Sequence, residues 1–240
     1  MYLHVSDLRA FYARPLGQAV RRLVGHRIRA RWRHVDEKTL IGLGYAAPYL
    51  GAFRGEARCL GAMMPAAQGA LVWPREGVTQ CVMVEETQLP LPDNSVDLLL
   101  AVHCLEGADA TRRLLREMWR VLTPEGHLML IVPNRRSVWA GVDTTPFGYG
   151  RPYSRGQLQR LLQEAMFTPI DWRWALHFPP VERQVILKSM IALERFGAKV
   201  WPGLGGIIIV EARKELIAPT IAAQRLPVRS LGGLITVRGI

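Results

Sequence analysis

The sequence predicts one doubly wound α/β domain built on a mostly parallel, seven-stranded sheet. Short apolar runs alternate with amphipathic stretches, the order from which right-handed crossovers build a parallel sheet. The run from Val96 to Val102 is apolar after Asp97, as a strand covered on both faces requires. No internal repeat, low-complexity tract or linker marks off a second domain. A length of 240 residues suits one such domain with appendages. With 49% apolar residues, the chain can bury a sizeable core.

From Ser6 to Trp32 the residues Leu8, Phe11, Tyr12, Leu16, Val20, Leu23, Val24 and Ile28 recur at three- and four-residue spacings, with arginines opposite. That pattern predicts one or two amphipathic helices, broken at Pro15 or Gly25, with Ser6 as the N-cap. Thr39 to Leu43 is a first strand, closed by Gly44 and followed by a helix over 47–53. Further strands are expected at 57–61, 80–84, 96–102 and 127–132, with a helix over 109–122. Beyond Pro133 a glycine- and aromatic-rich loop leads to a helix over 154–165 and a strand over 170–176. A helix over 181–198 and a strand over 206–212 follow. The expected division is a basic helical extension over 1–35, the α/β domain over 36–212 and an extended basic tail over 213–240.

The net charge of +11 is confined to the ends. Residues 1–35 hold eight arginines against Asp7, and residues 212–240 hold five basic groups against Glu215, which leaves 18 basic and 18 acidic side chains between them. Such ends suit an anionic membrane surface or an acidic partner, and nucleic acid less well. A solvated arginine-rich helix would give the same pattern. Cys59, Cys81 and Cys104 have neither metal-ligand nor disulfide spacing and read as buried thiols, so no metal is expected. The start of the chain lacks an apolar core followed by a cleavage site, and no apolar run has spanning length. A cytoplasmic protein is the expectation.

Two blocks carry a family resemblance. LPLPDNSVDLLLAVHCLE at 89–106 and EMWRVLTPEGHLMLIVPN at 117–134 resemble paired blocks of the class I S-adenosylmethionine-dependent methyltransferases, in particular the type 11, ubiquinone/menaquinone-biosynthesis-like group. The arginine-rich N-terminal helix suggests a smaller alphaproteobacterial branch of it. The resemblance implies a Rossmann-like fold, with 96–102 and 127–132 as its fourth and fifth strands. It also implies S-adenosylmethionine as cofactor and methyl transfer to a small or lipid-like acceptor. The alternative is a catalytically impaired module of the same fold that engages a partner or an anionic surface through its basic ends.

The cofactor end departs from the family pattern. In the first-strand loop Gly42 stands in the place of an acid, Gly44 keeps the first glycine, and Ala46 and Pro48 replace the next two. The second strand, ending Ala62-Met63-Met64, lacks the acid that would hold the ribose. Gly42, Gly44, Tyr45, Met63, Glu85, Glu86 and His103 are the cofactor-contact candidates, with Glu85 matching the family acid that meets adenine. Trp73 and Met63 are either adenine neighbours or core. His103, after the fourth strand, is the acid–base or orienting candidate, or a histidine satisfied by backbone groups. Tyr153, in the loop Phe147–Ser154, is the second catalytic candidate. Glu117 and Arg120 are expected to fix a helix against the sheet.

Overall fold

A computed structural model describes residues 1–216; the expected extended tail beyond 216 lies outside the described residues. Its helices are α1 (Val5–Ala13), α2 (Pro15–Arg31), α3 (Ala47–Leu50), α4 (Thr111–Val121), α5 (Arg155–Glu164) and α6 (Gln184–Val200). Its strands are β1 (Thr39–Gly44), β2 (Cys59–Pro65), β3 (Cys81–Val84), β4 (Val96–Val102), β5 (Leu122–Pro133), β6 (Phe167–Ala175) and β7 (Ile207–Lys214). They form one sheet in the order β3-β2-β1-β4-β5-β7-β6. β1 to β5 pair in parallel, and β7 inserts antiparallel to both β5 and β6. The order reverses at β1 and β4, so the switch point lies where their carboxyl ends diverge.

Strand alternation sorts the core into two layers. Leu98, Leu100, Met129, Ile131 and Ile209 face α1, α2 and α3, with Met190 and Leu193 of α6 packed alongside. Leu99, Ala101, Leu128, Leu130 and Val210 face α4 and α5. The helices of residues 1–35 are part of the first layer, since Leu8, Phe11, Val20, Val24 and Ile28 are all buried there.

The chain breaks between α1 and α2 at Arg14, because Pro15 opens the second helix at a position that needs no N–H donor. The N-cap of α1 is His4, whose ring accepts from the Ser6 N–H, rather than Ser6 itself. β2 starts two residues later than expected, which leaves Cys59 exposed at its amino end; only Cys104 is buried and Cys81 is partly so. Ser154 and Gln157 form the reciprocal cap of α5. Glu117 and Arg120 do fix structure. Glu117 accepts the Leu89 N–H at 2.9 Å, and Arg120 donates to the carbonyls of Leu89 and Leu91 and to Asp93. Together they pin the loop that feeds β4 onto α4.

Candidate functional site

Four strand ends meet at the switch point. Gly44 ends β1 with φ of +76°, and a Cβ there would lie 2.4 Å from the Val102 carbonyl oxygen. The next N–H, that of Tyr45, donates to the same oxygen at 2.7 Å. Gly42 makes room for Ala46 and Leu50, which would lie 2.7 and 2.8 Å from an added Cβ. Both glycines therefore serve close packing of the chain on itself. Met63 is buried near the end of β2, and beyond it Gln68 turns inward, its Nε2 donating to the His103 carbonyl at 2.7 Å.

After β3 the two acids part. Glu85 is exposed and bridges to Gln88, whereas Glu86 is buried and accepts from the Tyr2 hydroxyl. Burial pushes the Glu86 carboxyl above its ordinary value, against the opposing effect of that hydrogen bond. Glu85, the adenine-contact candidate, thus stands exposed at the strand end. Glu86 is the buried one of the two acids. Trp73 packs against the core.

His103 follows β4 in the left-handed region, with φ of +48°. Its Nδ1 lies 3.0 Å from Glu106 Oε1 and its Nε2 2.9 Å from the Tyr12 hydroxyl, which also meets the Tyr49 hydroxyl at 3.1 Å. Tyr12 stacks on Tyr45 with ring centroids 5.4 Å apart, and Phe147 lies 5.0 Å from the imidazole. His103 is closed off from solvent, because α1 lies across it and leaves the residue 5% exposed, and its ring is satisfied by side chains rather than by backbone groups. Burial raises the pKa of both Tyr12 and Tyr49, so both hydroxyls stay protonated.

The loop Phe147–Ser154 does come to His103. Gly150, with φ of +79°, fits tightly against Glu106, and the Arg151 N–H donates to the Glu106 carbonyl at 2.9 Å. Tyr153 is the exception within it. Its hydroxyl donates to the Leu105 carbonyl at 3.1 Å and is buried, which makes it a strut of the loop. Sequence reasoning missed Tyr2, Tyr12, Tyr49 and Gln68. The signal was present for Tyr12, a tyrosine on the apolar face of a helix whose hydroxyl must find a partner.

Residues 41–130 match a family model described as a methyltransferase domain. A probable S-adenosylmethionine-dependent methyltransferase of Mycobacterium tuberculosis is 36% identical over 109 residues, 45% of this chain and 38% of that protein. A similarly named protein of Mycolicibacterium smegmatis is 34% identical over 92 residues, 38% of this chain and 35% of its own. The family match is confined to residues 41–130, fewer than half of the 240 residues. The chain spans little more than a third of the length of these relatives. In fold, the methyltransferase domain and its flanking elements resemble an S-adenosylmethionine-dependent methyltransferase of Thermotoga maritima (TM-score 0.61, 17% identity, 88% of this chain and 96% of that one). They also resemble the geranyl diphosphate C-methyltransferase of Streptomyces coelicolor (TM-score 0.56, 15% identity, 80% of this chain and 77% of that one), solved with S-adenosylhomocysteine and geranyl diphosphate.

Two buried acceptors at the crevice of the methyltransferase domain, Gln68 Oε1 and Glu106 Oε2, have no hydrogen-bond partner. Leaving such atoms unpaired costs about 1–3 kcal/mol each. Together with the inward Glu86, they fit the hydroxyl and amino donors of S-adenosylmethionine, the family's cofactor. Tyr2 and Tyr12 reach the same crevice, where they bond to Glu86 and His103.

Proposed function

We propose that the chain binds S-adenosylmethionine at the carboxyl ends of β1 to β4 and transfers its methyl group to a small or lipid-like acceptor. The observation that carries this reading is the set of inward acceptors, Glu86, Gln68 Oε1 and Glu106 Oε2, at the switch point of a methyltransferase-family sheet. Glu86 and Gln68 would hold the cofactor's hydrogen-bond donors, and the backbone turn at Gly44 and Tyr45 would lie against it. The cofactor supplies an electrophilic methyl on a sulfonium. The protein's task is in-line positioning, an effect that contributes about 7–11 kcal/mol in well-oriented systems. With Tyr12 withdrawn, His103 Nε2 is the basic atom beside the crevice, and Glu106 at Nδ1 holds its ring. It would orient an acceptor or take its proton. Tyr149 and Arg151, on the loop that packs against Glu106, are the acceptor-side candidates.

One observation favours the second reading, a module of the same fold without turnover: α1 fills the crevice with Tyr12 against Tyr45, Tyr49 and His103. Calorimetry with S-adenosylhomocysteine on the wild-type protein and on Tyr12→Ala separates the two. The enzyme reading expects saturable binding that tightens in Tyr12→Ala and weakens in Glu86→Ala. Absence of binding by both proteins at millimolar ligand would overturn it in favour of the module.

A further inference from the structure

The layer of helices over β5, β6 and β7 is not continuous. Between α2 and α6 it leaves a groove of about 700 Å³, within the roughly 300–1,000 Å³ of small-molecule sites. It shares no lining residue with the switch-point crevice. Its floor is apolar: Met129 of β5 and Ile209 of β7 are buried at the bottom, with Leu23 of α2 and Met190 of α6 on the walls.

Its rim is cationic. Six arginines line the groove, at 22, 27, 31, 33, 173 and 195, against three acids, Asp171, Glu194 and Glu211. Each acid is already paired. Glu211 accepts from Arg31 and from Trp32 Nε1 at 3.0 Å, Glu194 pairs with Arg27 at 3.4 Å, and Asp171 pairs with Arg173 at 3.0 Å. Arg22, Arg33 and Arg195 make no ion pair among the described residues. The surplus is three guanidiniums above an apolar floor.

We propose that this groove binds a single-chain anionic amphiphile, its carboxylate or phosphate head on Arg22, Arg33 and Arg195 and its acyl chain on Leu23, Met129, Met190 and Ile209. Guanidinium donors match the oxygens of both head groups. The floor asks for a flexible alkyl chain, since Met129 and Ile209 lie too deep between the helices for a flat bilayer surface to reach. Residues 217–240 carry Arg225, Arg229 and Arg238 and no acid, the same sign as the rim, so they do not complement it.

The test is titration of the full chain with dodecyl phosphate and with laurate, both below their micelle concentrations. Neutral dodecyl maltoside and cationic dodecyltrimethylammonium serve as controls, and phosphatidylglycerol and phosphatidylcholine vesicles as further arms. The proposal expects saturable one-to-one binding of both anionic amphiphiles and at least tenfold weaker binding of the neutral and cationic ones. Arg22→Glu/Arg195→Glu, which alters two exposed side chains, should weaken anionic binding at least tenfold. The melting temperature and S-adenosylhomocysteine binding of that variant should match wild type. Equal binding of neutral and anionic probes would overturn the proposal. So would unchanged affinity in the double variant, or binding confined to phosphatidylglycerol vesicles, which would make the face a membrane-contact surface. Met190→Asp, placing a carboxylate on the apolar wall, should likewise abolish binding; retention there would overturn the seating of the chain.

Discussion

The hydroxyl of Tyr12 lies 2.9 Å from Nε2 of His103. A carboxylate at Glu106 can only accept, so the His103 Nδ1–H donates to it; in the neutral ring Nε2 then accepts from Tyr12. The imidazole is thereby committed at both nitrogens, and α1 is bonded to the carboxyl end of β4 through a side chain 91 positions away in sequence.

Tyr12→Phe keeps the ring packed on Tyr45 but leaves His103 Nε2 and the Tyr49 hydroxyl without this partner. A loss of about 1–3 kcal/mol in denaturant-unfolding free energy is expected. The same change should loosen α1, read as faster amide exchange over Val5–Ala13 relative to α4. Wild-type exchange rates in α1 would argue against a bolt at this bond.

Glu86 gives a pH dependence with a definite sign. Its folded-state pKa is raised by burial, so the native state binds the proton more tightly than the unfolded chain. Its contribution is fully present below the ordinary glutamate value and is lost as pH rises through the raised one. Glu86→Gln mimics the protonated form, and its stability should fall less than that of wild type across that interval. Parallel stability–pH curves for the two proteins would refute the assignment.

Arg120→Lys tests the clamp on the loop before β4. The guanidinium donates to the Leu89 and Leu91 carbonyls, to Asp93 and to Glu117 at once, a geometry an ammonium does not reproduce. About 1–3 kcal/mol of stability should be lost, with increased amide exchange at Leu89 and Leu91. If lysine restores full stability, the interaction is one of charge alone.

Gly44→Ala should be severe. The backbone there is left-handed, which costs a side-chain residue about 1–2 kcal/mol, and the added Cβ would meet the Val102 carbonyl oxygen at 2.4 Å and Cys104 Cβ at 2.8 Å. A total loss of more than about 2 kcal/mol is expected from chemical denaturation. A neutral result would show that the β1 turn relaxes away from β4.

The central strands were legible because their signal is local. β4 is a run of apolar residues covered on both faces, and the apolar run expected at 127–132 lies within β5. Pro15 likewise marks the break between α1 and α2 by its own chemistry. Glu85 and Glu86 were harder to separate. Adjacent residues point to opposite sides of a strand, and which one turns inward depends on where β3 ends and on the Glu85–Gln88 bridge. Cys59 was misjudged for a similar reason, since a shift of two residues at the start of β2 moves it to an open end. The Tyr12–His103 contact has no local trace at all. Periodicity placed Tyr12 on a buried face, but which strand end that face would meet is set by how the first helices return over the sheet.

The position of β7 also has a consequence for the newly made chain. Among the described residues β6 has β7 as its sole neighbour in the sheet, and residues 176–206 intervene between them. As the polypeptide leaves the ribosome, β6 emerges with Trp172 and Trp174 before any strand exists that it natively pairs with. Meanwhile the outer edge of β5 lies open beside it, a ready template for the wrong partner. Correct assembly therefore waits on synthesis of β7, whose arrival in the gap joins β6 to the rest of the sheet.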